Sequence, residues 1–590
     1  MTEDDSQLDV IHWPITSSLF VTAPPGFGKT FVMTERIKFS ISHGYIHSPK
    51  KILALTFSNA AANELKSRIK QKIPDFNKFV DVMTFHTLAY SILKTYGNYV
   101  DIDRNFSIVN ERSMKDFKMQ YFREYLRKRG ESNEKKIYSL ISEYDYWYKK
   151  KFIQIIKEHN TSEHLFSDLK TKLDEKFINK TNLNFDNLLF KSLELLAEYP
   201  PIRDAYYSKY EMIFVDEFQD TNFIQYTLFK KIAFKSESEK RIIFAVGDKK
   251  QAIMKFQGAD PRNIDLLISD FECQEKELKN NHRTDSQAIL TITQKLRDFS
   301  MKINPDIKFK AYIFKNVEDE SNKIIEKIHQ LISSDTKLHE ICILCPQIKT
   351  VHSLKKKFRE EHLDFFVLSD FKFDSISNEY SKIFDEFERL ISVEYNKGSV
   401  NEIFKQLAKN YYPDKYEDPV LIHLEKFTLK FDSNERKRIE VWKRIQEYCN
   451  FLQMEIDWTN LVQTQIKNKV FLSTIHGSKG LQFPYIFMIG IVDFRLPHSS
   501  TCFPCGSFNK TEEVDVSDSE DLFYVGISRT IKDVSFFYSR QDEQNLANFK
   551  RKMSCLFVPI IEMMQFIDID GQEYSIEEPG IQRLFCSKRE

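Results

Sequence analysis

Leu19-Phe-Val-Thr-Ala23-Pro-Pro-Gly26-Phe-Gly28-Lys29-Thr30 joins a short apolar run to a stretch with helical spacing. Gly26 and Gly28 let the backbone bend and aim its N–H groups at phosphate oxygens. The N-terminus of the helix that follows favours negative charge. Lys29 is placed to reach terminal phosphates, and the Thr30 hydroxyl to ligate Mg²⁺. The usual phosphate loop is GxxxxGK[ST], and Ala23 stands where its first glycine belongs. Such a loop needs a neighbouring strand that ends in a carboxylate. Met212-Ile-Phe-Val-Asp216-Glu217-Phe-Gln-Asp220 supplies one. Asp216 is expected to hold Mg²⁺, directly or through water, and Glu217 to orient and deprotonate an attacking water. Together the two stretches specify a nucleotide hydrolase without saying what the hydrolysis drives.

Outward from this point the chain alternates strands with helices. Leu19 to Ala23, Ile52 to Phe57, Met212 to Asp216 and Ile242 to Val246 are short and almost wholly apolar. Strands that are apolar on both faces belong in a parallel sheet covered by helices. Helical patterns lie between them, as at Thr30 to Ile41 and Ala60 to Ile73, so the class is α/β. The pattern fades near 97–180 and returns at Ala311 to Phe314, Ile341 to Cys345 and Phe365 to Leu368. It fades again near 375–466 and resumes at Val470 to Thr474, Tyr485 to Ile489 and Val534 to Tyr538. Two α/β units, each carrying a mainly helical insertion, account for the roughly four folding units that 590 residues suggest.

Composition bounds the rest. Only 15 residues are glycine, so the chain keeps glycine where backbone geometry demands it, and eight of the 15 fall in the motif blocks. Lys+Arg and Asp+Glu are both 86, which excludes a blanket polycation but leaves room for a local basic groove. The acidic N-terminus does not read as a signal peptide. Runs such as Ile486 to Val492 fall far short of the roughly 18 apolar residues of a membrane helix. Eight cysteines are too sparse for a disulfide framework, which points to a reduced, cytoplasmic compartment. Cys502 and Cys505, with His498 near, read as free thiols in a loop, because zinc normally takes four ligands. The acidic run Thr511 to Asp521 reads as a solvated loop.

Further blocks, in order along the chain, resemble the UvrD/Rep family of superfamily 1 DNA helicases. Thr56-Phe57-Ser58-Asn59 through Glu64-Leu65 looks like its TFTNxAAxEM block, and Thr84-Phe85-His86 like TFH. Asn184 to Leu189 resembles the DFxxLL segment, and Asp216 to Thr221 matches DEFQDT letter for letter. Gly247 to Ala259 resembles GDxxQSIYxWRGA, and Leu278 to Arg283 resembles LxxNYR. Ser473 to Phe483 is similar to TxHxxKGLEF, and Glu520 to Arg529 to EExxRLxYVAxTRA. Gln7, 16 residues before Ala23, fits the family's adenine-reading glutamine.

The resemblance implies two RecA-like domains with ATP and Mg²⁺ between them: 1–96 with 181–290, and 291–374 with 467–560. Helical insertions would occupy 97–180 and, shorter, 375–466, with 561–590 as a tail. Nucleotide would be held by Gln7, Ala23, Gly26, Gly28, Lys29, Thr30, His282 and Gln482. Gln251 would sense the γ-phosphate, and Arg283 and Arg529 would reach it from across the cleft, where a permanent charge and a forked donor set suit phosphate. Phe57, Asn59, Thr84, His86, Phe256 and His476 would contact the strand, although Phe57 and Phe256 fit a core equally well. Tyr144 to Phe152 interleaves aromatics with lysines, as a duplex contact or as an amphipathic helix with a basic edge. The implied activity is 3′→5′ unwinding or translocation on single-stranded DNA and its duplex junctions.

Departures leave a second reading open. His282 replaces a stacking tyrosine, Met254 and Gln257 replace a tyrosine and an arginine, Gln482 replaces a glutamate, and Ala60 replaces a basic residue. The compact helicase subunit of the Gabija anti-phage system is similar in its motifs and in lacking a fused nuclease domain. On that reading the chain senses DNA or nucleotide and regulates a partner nuclease, with weak unwinding of its own.

Overall fold

The computed structural model describes residues 4–144, 163–367, 400–411, 468–497, 517–540 and 552–584, apart from scattered positions within those spans. The first helix, α1, is Asp5–Ile11. Six strands form the first sheet: β1 (Leu19–Thr22), β2 (Lys51–Thr56), β3 (Val80–Thr84), β4 (Tyr210–Val215), β5 (Ile242–Gly247) and β6 (Gln274–Glu277). Their order is β6-β1-β5-β4-β2-β3, with every neighbouring pair parallel. Helices α2 (Lys29–Ser42), α3 (Asn59–Lys72) and α4 (Phe85–Tyr96) follow the first three strands.

The second sheet takes β7 (Phe309–Phe314), β8 (Ile341–Cys345), β9 (Phe365–Val367), β10 (Val470–Thr474), β11 (Phe483–Ile489), β12 (Thr530–Ser539), β13 (Met564–Ile567) and β14 (Glu573–Tyr574). From one edge it runs β14-β13-β7-β12-β11-β8-β10-β9, and only the β13–β14 pair is antiparallel. Both sheets therefore share one winding. The unit's first strand lies between its late-sequence strands, and the order continues inward through the same succession. β9 and β14 are additions at the two edges of the second sheet.

The strands that read as apolar on both faces are the buried ones. Each residue of β8, Ile-Cys-Ile-Leu-Cys, is buried, and β5 is buried from its second residue on. Cys342 and Cys345 are free thiols inside this core. Within the span expected as the first insertion, α5 (Glu111–Arg127) and α6 (Glu163–Phe177) pack around Phe122, Leu126, Phe166 and Leu169. Tyr144, 2% exposed, belongs to that cluster, which favours the amphipathic-helix reading at this residue. Residues 145–152 lie outside the described residues, as do Cys502, Cys505 and His498. α7 (Phe185–Glu198) then packs against α4. Further on come α8 (Gln287–Arg297), α9 (Val317–Ser333) and α10 (Val400–Tyr411), which falls in the span expected as the second insertion.

Two expectations are corrected. Residues 564–574 add two strands to the second sheet, so 561–590 is not merely a tail. The acidic run does not end as a solvated loop: Ser517–Ile527 is helix α11, and Asp521 in its second turn is buried. Among the described residues no helix is long and apolar enough to cross a membrane.

Candidate nucleotide site

The carboxyl ends of β1, β4 and β5, adjacent in the first sheet, converge on one crevice, as in open α/β sheets generally. Beyond β1, Ala23 N donates to Gly247 O at 3.1 Å, and the chain then turns through Gly26 (φ +90°) and Gly28 (φ +91°). A Cβ at Gly26 would lie 2.7 Å from the Arg283 Cβ, and one at Gly28 would lie 2.6 Å from Gln7 Nε2. Both glycines thus permit close approach as well as left-handed backbone. Gly28 caps α2 with no side-chain hydrogen bond, and the first turn holds no acid. The helix-start N–H groups and dipole there suit an anion.

Opposite the loop, Asp216 follows β4 and accepts from Glu217 N at 2.9 Å. Glu217 is in left-handed conformation (φ +49°), a strain that non-glycine residues carry at functional sites. Its Oε2 accepts from Lys29 Nζ at 3.1 Å and from Gln219 Nε2 at 2.5 Å. Burial works against the Glu217 charge, but Lys29 and Lys479 outweigh it and lower its pKa. Burial, followed by the Glu217 charge, pushes Asp216 up to about 7. A bound cation would offset the burial and the Glu217 charge that hold Asp216 back from ionising, and Mg²⁺ takes one or two carboxylates besides phosphate oxygens.

A network continues into the second unit. Gln219 Oε1 accepts from Asp248 N at 3.0 Å, and Asp248 Oδ2 accepts from Gln251 Nε2 at 2.8 Å. Arg297, the last residue of α8, donates to the same Asp248 oxygen at 2.6 Å and to the Tyr524 hydroxyl at 3.1 Å. Lys479 donates to Asp220 at 2.6 Å and to Gln251 O at 2.9 Å, and Lys255 pairs with Asp518. None of these cross-cleft contacts has a local signal. An arginine closing an amphipathic helix reads as a dipole-complementing charge.

Arg529 comes from the second unit, buried at 4% exposure, with Nε donating to Val525 O at 3.1 Å. Arg283 departs from the expected placement. It lies on the segment that joins the units. Asn281 Nδ2 donates to Pro25 O at 3.2 Å and His282 N to Gly26 O at 2.8 Å, while Arg283 Nη1 donates to Ser528 O at 2.7 Å. Burial and the Arg529 charge push Arg283 down to about 9, and burial lowers Arg529 as well. Among the described residues neither arginine forms an ion pair. Two mutually repelling guanidiniums in a dry wall suit an anion better than the surface salt bridge that each could be taken for in isolation.

At the base end, Gln7 is fully buried on α1. Its Nε2 donates to Phe27 O at 3.2 Å, and its Oε1 is buried with no partner. A buried acceptor without a donor is costly, and a purine amino group would supply one. The His282 ring is held by Asp4, a residue the sequence reading passed over. Gln482 is exposed before β11 and makes no hydrogen bond among the described residues.

The expected strand-contacting residues lie elsewhere along the same sheet edges. Phe57 and Asn59 follow β2, Thr84 caps α4 at the end of β3, and His476 follows β10. His86 meets Phe185 edge-on at 5.6 Å, and burial pushes it down to about 4. Burial, then Lys479, also lowers His476. Phe256 and Gln257 lie outside the described residues.

Two like-wound sheets, with a phosphate loop and a carboxylate pair, one arginine on the joining segment and another from the second unit, define a P-loop nucleotide hydrolase of RecA-like architecture. Residues 4–272 match the UvrD/REP helicase N-terminal domain, and residues 375–541 match the UvrD-like helicase C-terminal domain. The ATP-dependent DNA helicase Rep of Buchnera aphidicola subsp. Acyrthosiphon pisum is 24% identical over 614 residues, covering 88% of this chain and 92% of the relative. The ATP-dependent DNA helicase PcrA of Bacillus subtilis is 24% identical over 630 residues, covering 91% and 81%. This chain belongs to the UvrD/Rep family of superfamily 1 and is an ATP-hydrolysing DNA helicase.

Proposed function

We propose that this chain is a cytoplasmic motor that moves 3′→5′ along single-stranded DNA and opens duplex junctions. The observation that carries the reading is the buried arginine pair, Arg283 on the joining segment, bonded to Ser528 O at 2.7 Å, and Arg529 on the second unit, both within reach of the Glu217 charge on the first. Hydrolysis then depends on the cleft being closed, and each cycle of closing and opening advances the strand.

In this reading Lys29 leaves Glu217 for the terminal phosphates, joined by the N–H groups of residues 26–30. The freed Glu217 carboxylate accepts a proton from the attacking water. Arg283 and Arg529 neutralise charge on the γ-phosphate, and Gln251, fixed by Asp248, senses it. Thr30 and Asp216 would hold Mg²⁺, which when bound offsets phosphate charge. Gln7 reads the base edge and His282 lies against its face. Phe57, Asn59, Thr84, His86 and His476 line the strand path, and Phe256 would join them by its place in the sequence block.

The test is ATP turnover with and without single-stranded DNA, followed by strand displacement on 3′-tailed and 5′-tailed duplexes. The reading expects DNA-stimulated turnover, lost in Lys29→Ala and Glu217→Gln, and displacement from the 3′ tail. Turnover indifferent to every nucleic acid would sink it. The departures at Met254, Gln257 and His282 leave a second reading open, a regulatory ATPase that controls a partner nuclease in anti-phage defence. DNA-stimulated turnover without displacement, together with a co-purifying nuclease, would select that one.

A further inference from the structure

Asp4 binds two parts of the base end at once. Its Oδ1 accepts from Gln7 N at 2.9 Å and from Ser6 Oγ at 2.6 Å, which caps α1. Its Oδ2 lies 2.8 Å from His282 Nε2. Ser6 Oγ in turn accepts from Lys279 N at 3.2 Å, so α1 is stitched to the segment that carries His282. Burial opposes the Asp4 charge, but hydrogen bonds from Ser6, Gln7, His282 and Asn280 outweigh it and hold the carboxyl at about 2. An ionised carboxylate only accepts, so the imidazole proton sits on Nε2 and the ring edge is fixed.

We infer that Asp4 is a positioning residue for base recognition, one carboxylate that sets the reading amide of Gln7 and the ring of His282 in a single frame. The inference rests on the nucleotide reading above. A tyrosine at 282 would present its ring without needing a carboxylate. A histidine is smaller and can turn either edge, so it gains from a fixed partner. With Gln7 Oε1 awaiting a donor and the ring held beside the phosphate loop through His282 N and Gly26 O, the ligand is a purine nucleotide with an exocyclic amino group.

Asp4→Ser separates the two duties, because serine keeps the helix cap but cannot span to His282. Equilibrium binding of a fluorescent ATP analogue is measured beside steady-state turnover, in the natural chain and in a His282→Tyr background. The expected result is a Kd and a KM raised about tenfold, or about 1.4 kcal/mol, with kcat within twofold. In the His282→Tyr background Asp4→Ser should change neither by more than twofold, the non-additivity of residues that act together. Unchanged binding in Asp4→Ser, or an equal loss in both backgrounds, overturns the inference alone. No binding by the natural chain overturns the nucleotide reading and the inference with it.

Discussion

β1 enters α2, and β7 enters α9, at the same place in two sheets of the same winding, yet the two junctions offer opposite surfaces to an anion. At the first, glycine caps the helix without a side-chain bond and Lys29 opens it. At the second, Asn316 Oδ1 accepts from Asp319 N at 2.8 Å, and Glu318, Asp319 and Glu320 fill the first turn. The asparagine uses an N–H that a phosphate would need, and the carboxylates exploit the same helix dipole for stability. Winding fixes where a helix N-terminus points, and the residue at the cap decides whether it receives a ligand or serves its own helix.

Removing chemistry from the first junction's surroundings should have the greatest consequence. Glu217→Gln is expected to lower kcat about 1,000-fold while nucleotide still binds, as read by steady-state turnover and by titration with a fluorescent analogue. Comparable turnover in that variant would mean another base serves the site. Gly28→Asn makes the first junction resemble the second. The new side chain meets Gln7 and competes for helix-start N–H groups, so affinity should fall about 10- to 100-fold in the same titration. At the second junction, Asn316→Ala should reduce stability by about 1 kcal/mol in denaturant unfolding and leave turnover within twofold. A large loss of turnover there would show that the acidic junction does more than hold α9.

A pH effect should be smaller still. Because the folded pKa of Asp216 is raised to about 7, its stabilising contribution is complete below the ordinary carboxylate range and is lost as pH rises through about 7. The nucleotide-free chain should therefore lose melting temperature between about pH 5 and pH 8 relative to Asp216→Asn. Cation-dependent turnover should move the other way, falling as acid protonates the carboxyl.

The elements legible in the sequence were those whose burial is two-sided. Ile341–Cys345 and Ile242–Gly247 read as strands because each is a short, almost wholly apolar run. Val80–Thr84, half-buried with alternate residues partly exposed, and the polar edge strand Gln274–Glu277 carry no such run and escaped notice. At the site, the phosphate loop and Asp216-Glu217 are contiguous, so their chemistry could be read locally. Arg297 with Asp248, Lys479 with Asp220 and Asp4 with His282 join residues far apart in sequence, and no spacing rule brings such partners together. Asp4 did leave a faint trace, since Asp4-Asp-Ser-Gln7 has the form of a helix cap followed by glutamine at the third position.

The joining segment has a mechanical consequence. Asn281 and His282 are fastened to the phosphate loop, and Arg283 and Thr284 to the second unit at Ser528 and Ile531. Four successive residues thus form a short, taut coupling with no slack between its two attachments, so a displacement at the phosphate loop is handed to the second unit directly rather than through a long linkage.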